Sequence, residues 1–200
     1  MRTADRQEQI LDRTLDVATA SGLTGLTMKK IAALVGFSEA AIYRHFPTKQ
    51  ALLLALMGRL EARLLCPAVA IAASSDLMPT ARLQRILAHH VALVTEAHSL
   101  PILLLGEASA SGDPVLLARM QGIFQGYVGV LHRLMKQAAA AGEVPSRVDP
   151  GSLVMLALGV PAALAIQHRL VGNRRVERAV EKDLPPFLFD LLRTAERRDI

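Results

Sequence analysis

Between Thr27 and Phe46 the apolar positions of this 200-residue chain recur at helical spacing in two short bursts. Ile31 and Val35 stand four apart and give one helix an apolar face; Gly36 supplies a turn; Phe37, Ile42 and Phe46 anchor a second helix. Ala32 is small where the two helices must cross closely. Thr27 and Ser38 sit just ahead of the two patterns, where a hydroxyl oxygen accepts an otherwise unpaired N–H of the first turn and caps a helix. The pattern predicts a helix-turn-helix. On a 3.6-residue wheel Ile42 and Phe46 point inward, which turns Ala40 and Arg44 outward with Ala41 and Tyr43 beside them.

The same period continues along the chain, divided by breakers. Thr48 starts a helix that runs through Leu53, Leu56, Leu60 and Leu64 toward Ser74. Pro79 to Ser99 and Pro101 to Ala110 follow. The run Ser111-Gly112-Asp113-Pro114 breaks the chain before a long helix to Ala141, closed by Gly142. Asp149-Pro150 opens the next as N-cap and first helical residue, and that helix ends near Gly172-Asn173. A last segment spans Val176 to Arg198, bent at Pro185-Pro186. Strand-like alternation is hard to find. The expectation is an all-α chain of about nine helices: a three-helix N-terminal domain over residues 1–47 and a helical domain over 48–200.

Composition supports this and narrows the partners. Hydrophobic residues make up 52% of the chain but aromatics only 4%, with no Trp, so the core must be built from Ala, Leu, Val, Ile and Met, mostly strong helix formers. The net charge of +5 and a pI near 9.9 favour nucleic acid or an anionic membrane surface. The basic character is local, around Lys29, Lys30, Arg44 and Lys49. Pro150 to Gln167 carries no formal charge and approaches bilayer-spanning length, but Gly159, Pro161 and many alanines dilute it, so a buried or subunit-interface helix is expected and no membrane partner. Acids at Asp5, Glu8 and Asp12 stand where a signal peptide would be apolar, which implies a cytoplasmic protein. The single cysteine, Cys66, can form no intrachain disulfide and is expected to be buried among Leu64, Leu65 and Pro67.

The outward face of the second short helix suits DNA. Alanines let the backbone approach base edges, Arg44 can hydrogen-bond a guanine bidentately in the major groove, and Tyr43 and His45 can reach phosphates. The order Ile10, Leu11, Ala18, Gly22, Thr27, Ile31-Ala32, Gly36, Ile42-Tyr43-Arg44-His45-Phe46 and Thr48-Lys49 resembles the DNA-binding domain of the TetR family of bacterial regulators, over Ile10 to about Leu56. That resemblance implies phosphate contacts from Thr27, Tyr43, His45 and Lys49, and places Lys29, Ser38, Ala40, Ala41 and Arg44 nearest the bases. It also implies a homodimer, joined through its last two long helices, that binds a palindromic operator on double-stranded DNA. Such a repressor would be released by a small, largely apolar effector.

Two further sets of residues follow. Leu153, Leu156, Val160 and Leu164 form a stripe at helical spacing, as do Leu184, Leu188 and Leu191, and both stripes are candidate dimer surfaces. Polar or polarizable residues in apolar segments, His90, Glu107, Met120, Phe124, Tyr127, Met155 and Gln167, are candidates for an effector pocket. No metal or cofactor is expected: His89 and His90 are adjacent and diverge on a helix, and His90 and His98 lie too far apart along it. Gly-rich phosphate loops, HExxH and a nucleophile elbow are absent from the sequence, which points away from an enzyme. GFSEAAIYRHFPTK and TARLQRI, Thr80 to Ile86, also resemble nucleoid-occlusion factors, TetR-like proteins that bind DNA and restrain a cell-division partner.

Overall fold

The structure, a computed structural model, describes residues 3–23, 26–96, 100–144 and 149–171; among these the secondary structure is α-helical, with no strand. In chain order the helices are α1 (Thr3–Ser21), α2 (Met28–Val35), α3 (Glu39–His45), α4 (Lys49–Ala72), α5 (Pro79–Glu96), α6 (Leu100–Ala110), α7 (Pro114–Ala140) and α8 (Pro150–Leu170). Sequence breaks and helix ends agree closely. The expected last helix, and with it Leu184, Leu188 and Leu191, lies outside the described residues, as does His98.

The caps read from sequence are made in the structure. Ala51 N–H donates to Thr48 Oγ1 at 3.0 Å, and Ser152 N–H to Asp149 Oδ2 at 2.9 Å, with Pro150 where its missing N–H costs nothing. Gly142 closes α7 in the left-handed region at φ +70°, letting Glu143 N–H reach back to Ala138 O at 2.9 Å.

By contact the chain divides into two units. The first comprises Met1–Glu61 with Leu100–Gly122. Its core is Ile10, Leu11, Ala18, Leu23, Ile31, Ile42 and Phe46 around α1 to α3, joined by Leu52, Leu56, Met57 and Leu60 of α4 and by Leu100 and Leu104 of α6. Thr14, fully buried, spends its hydroxyl on Ile10 O at 2.7 Å, so α1 can face the core with a polar residue at no unpaired cost.

The second unit comprises Ala62–Ser99 with Ile123–Ile200. Leu83, Ile86, Val91 and Val94 of α5, Val130, Leu134 and Met135 of α7 and Leu153, Val154, Ala157, Leu164 and Ala165 of α8 are buried, with α5 packed against α8. Gly126 allows a close approach, since a Cβ there would stand 3.0 Å from Leu65 Cδ2. Pro67 falls inside α4 without ending it. A proline there supplies no N–H to the carbonyl four residues back, Arg63 O, and His89 Nε2 takes that oxygen instead at 2.6 Å. Glu143 accepts from Thr80 N–H at 2.9 Å and from Thr80 Oγ1, capping α5, while Arg82 Nη1 donates to Ala72 O at 2.9 Å at the end of α4.

Cys66 departs from expectation: it is exposed. The buried positions Leu60, Leu64 and Ala68 of α4 recur every four residues, and two steps beyond Leu64 the helix has turned Cys66 to the far side.

Candidate nucleic-acid interface

The helix-turn-helix is assembled from local signals. Thr27 accepts Lys30 N–H on its Oγ1 at 3.2 Å and so starts α2. Gly36, at φ +77°, takes the left-handed conformation that a side chain disfavours, and Phe37 N–H closes back on Ala32 O at 3.0 Å. Ser38 then accepts Ala41 N–H at 3.2 Å to start α3. Ile31 of α2 and Ile42 of α3 are fully buried, and Ala32 is buried beside Ile31. Guanidinium packing adds to this, since Arg6 of α1 lies 4.7 Å from the centre of the Phe37 ring. Gln7 Nε2 donates to His45 O at 3.5 Å.

With the apolar side spent, the opposite side is presented outward. Thr27, Lys29, Ser38, Ala40, Tyr43 and Arg44 are exposed, and Ala41 and His45 are half-buried. His45 Nδ1 is enclosed and has no hydrogen-bond partner among the described residues. The cap oxygens of Thr27 and Ser38 accept, which leaves each hydroxyl hydrogen able to donate to a phosphate or base. The face therefore combines small residues, donors and cations, the composition a major groove accepts.

Lys49 behaves differently. Expected on a phosphate, its Nζ stands 2.7 Å from Glu107 Oε1 and 3.5 Å from Leu23 O. Glu107, expected in an effector pocket, is the buried partner of that pair. The neighbouring Gln50 Nε2 donates to Asp113 Oδ2 at 2.8 Å. That bond, with the Leu116 and Val115 N–H groups that Asp113 caps, holds the Asp113 carboxyl below the usual carboxylate range. Arg59 bridges to Glu8 and Asp12 of α1, and Arg119 to Glu61. Sequence reasoning missed all these ties, because partners 47 to 63 residues apart leave no local signal.

The other candidates divide between the two units. Glu107 and Met120 belong to the first, His90, Phe124, Tyr127, Met155 and Gln167 to the second. Within the second, His90 and Tyr127 do meet: Nδ1 and Oη are 3.1 Å apart and the rings pack edge to face at 5.1 Å. Burial, then the charge of His89, pushes His90 down from 6.5 to about 4, and burial pushes the Tyr127 phenol up. Phe124, at 54% exposed, and Met155, at 63%, face outward rather than into a pocket, and Gln167 is half-buried. A cleft of about 450 Å³ in the first unit is lined by Gln9, Asp12, Arg13, Asp16, Val35 and Phe37, none of them a reading residue. No group of three or more His, Cys, Asp or Glu among the described residues could hold a metal ion.

The predicted α8 stripe is rotated. Leu153 and Leu164 are buried within the protomer, Val160 is half-buried, and only Leu156 lies fully on the outer face. The exposed apolar row is instead Met155, Leu156, Ile166 and Leu170, with Gly159, Ala162 and Ala163 between, roughly a quarter-turn away. The reason is that α5 claims the Leu153–Leu164 side. By length and hydropathy Pro150–Leu170 could cross a membrane, but its Leu153 side is covered by α5.

Known proteins bear on this geometry. Residues 10–56 match the model of bacterial regulatory proteins of the tetR family. This segment belongs to the TetR family. The TetR-type head is thus the part that carries Thr27 to Phe46. Over 160 residues the chain is 28% identical to the nucleoid occlusion factor SlmA of Pasteurella multocida, covering 78% of this chain and 80% of that one. The crystal structure of the MbdR regulator from Azoarcus sp. CIB aligns with a TM-score of 0.76 at 26% identity, covering 92% of this chain and 95% of that one. AibR, solved with isovaleryl coenzyme A and operator DNA, shares the fold with a TM-score of 0.72 at 22% identity, covering 92% and 98%.

Proposed function

We propose that the protein is a ligand-responsive, DNA-binding transcriptional regulator, a repressor that binds a palindromic operator as a homodimer in the cytoplasm. The observation that supports this reading is the outward face of the TetR-type head, with Thr27, Lys29, Ser38, Ala40, Tyr43 and Arg44 exposed and Ala41 and His45 half-buried; in it Lys29, Ser38, Ala40, Ala41 and Arg44 serve bases and Thr27, Tyr43 and His45 phosphates. Residues 1–47 form the DNA-binding domain and 48–200 the effector and dimerisation domain. One seven-residue recognition helix offers few contacts, and two rigidly spaced half-sites combine theirs. The uncovered α8 row of Met155, Leu156, Ile166 and Leu170 is the surface for the second copy. Release by a small effector is supported by the shared fold with AibR, which was solved with an acyl coenzyme A and operator DNA. The activity is binding, with no catalytic step.

Selection of retained sequences from random duplex DNA tests this. An enriched palindrome is expected. Absence of enrichment by folded, dimeric protein would contradict operator binding by the free protein. A second reading, favoured by the 28% identity to SlmA, is a nucleoid-occlusion factor that binds DNA and acts on a cell-division partner. Co-sedimentation with the division polymer separates the two.

A further inference from the structure

Glu107 has no part in the reading above, and its place in α6 is a costly one. Its side chain is 8% exposed, and a carboxylate that deep must be paired. The partner, Lys49 Nζ at 2.7 Å, belongs to the first residue of α4, separated from the end of α3 by only Phe46, Pro47 and Thr48. The same ammonium donates to Leu23 O, in the connection ahead of α2. One charge pair thus joins α6 to segments on both sides of the helix-turn-helix. The next side chain along α4, Gln50, reaches Asp113, the residue that caps α7. Consecutive residues at the start of α4 therefore grip the end of α6 and the start of α7.

We propose that Glu107 is a positioning residue for DNA binding: by holding Lys49 it fixes the first turn of α4 and, through Phe46 to Thr48, the pitch at which α3 presents Arg44. This rests on the operator-binding reading. It also removes Lys49 from the groups that neutralise phosphate. At its C-terminal end α3 stops at the extended Phe46 rather than in a further turn, held by the buried Ile42 and Phe46 and by Gln7 on His45 O, and the Lys49 tie acts three residues beyond this point. A small change of tilt moves Arg44 off a guanine edge while leaving Lys29 and Arg44 free to meet phosphates somewhere. Loss of the tie should accordingly degrade discrimination and spare general DNA affinity.

The test titrates wild type, Glu107→Gln and Lys49→Met against the selected operator and a scrambled duplex over a range of salt. Expected for both variants is a roughly tenfold loss on the operator, with scrambled-duplex affinity and the slope of log affinity against log salt unchanged. The reversed pair, Lys49→Glu with Glu107→Lys, should recover part of what either reversal alone loses. Equal losses on both duplexes would overturn the proposal. So would tighter binding with a steeper slope in Glu107→Gln, because Lys49 would then be a phosphate contact held in reserve. If the single variants unfold, the reversed pair decides, and failure to rescue overturns the positioning role. Wild type that prefers no duplex sinks the operator reading itself and is recognisable by that.

Discussion

In the contact unit that carries the helix-turn-helix, α4 is held by charge: Lys49 by Glu107, Arg59 with Glu8 and Asp12, Glu61 with Arg119. Among the described residues of the other unit the polar contacts named above are neutral or capping ones, His90 with Tyr127, His89 on Arg63 O, Arg82 on Ala72 O and Glu143 on Thr80. An ion pair described there, Arg63 with Glu96 at 3.5 Å, is exposed on both sides and worth little. Salt and a polyanion compete for ties of the first kind and hardly touch the second. The unit proposed to meet DNA is therefore also one whose internal geometry responds to an ionic environment.

The largest test of that contrast attacks the outer face of the second unit. Leu156 is 52% exposed in the middle of an apolar row, and a carboxylate there would sit in the proposed subunit contact. Leu156→Glu should convert dimer to monomer in sedimentation equilibrium and lower affinity for the full palindrome by about 100-fold or more, while half-site affinity persists. A dimer of unchanged affinity would move the interface off α8.

Next in size is acid. His90 is neutral in the fold, with its proton affinity lowered to about pH 4 by burial and by His89, against 6.5 in the unfolded chain. Between those values the unfolded chain holds a proton that the folded chain does not, so stability present above pH 6.5 is lost as pH falls toward 4, by roughly 3 kcal/mol. Urea titrations at pH 7, 5.5 and 4.5 read this directly. His90→Gln should flatten the dependence in that window, and an unaltered slope would assign it to other groups.

How much of this was legible in the chain depended on distance. The caps Thr27, Ser38 and Asp149, the left-handed Gly36 and the inward Ile42 were readable because each acts within one helical turn of itself. The reading face followed as whatever Ile42 and Phe46 left outside. The α8 stripe was misplaced because periodicity shows that a helix has an apolar side, while α8 is apolar nearly all round, and only packing against α5 decides which side is spent. The resemblance places Lys49 on a phosphate and the sequence makes Glu107 a pocket candidate, and neither reading could show that the two pair across 58 residues.

Within the first unit, Arg44 sharpens the contrast between a residue that reads and one that holds. Exposed and near the end of α3, it has no structural duty that its loss would expose. Arg44→Ala should cost about 1–3 kcal/mol on the operator and relax preference at one position of the site, with stability within about 0.5 kcal/mol of wild type. Equal losses on operator and random duplex would make it a phosphate contact instead.

The smallest expected effect separates two duties carried by a single hydroxyl. Ser38 Oγ accepts Ala41 N–H at 3.2 Å and at the same time lies on the exposed reading face. Ser38→Ala removes both and should destabilise the protein by about 1 kcal/mol. Ser38→Asp keeps an acceptor at the cap and adds a negative charge where the helix dipole favours one, so stability should stay within about 0.5 kcal/mol of wild type. That same charge would face phosphate, so operator affinity should fall although the fold has lost nothing. If Ser38→Asp instead binds operator like wild type, the N-terminus of α3 does not approach the DNA backbone. The reading face would then have to be shifted toward Tyr43 and Arg44.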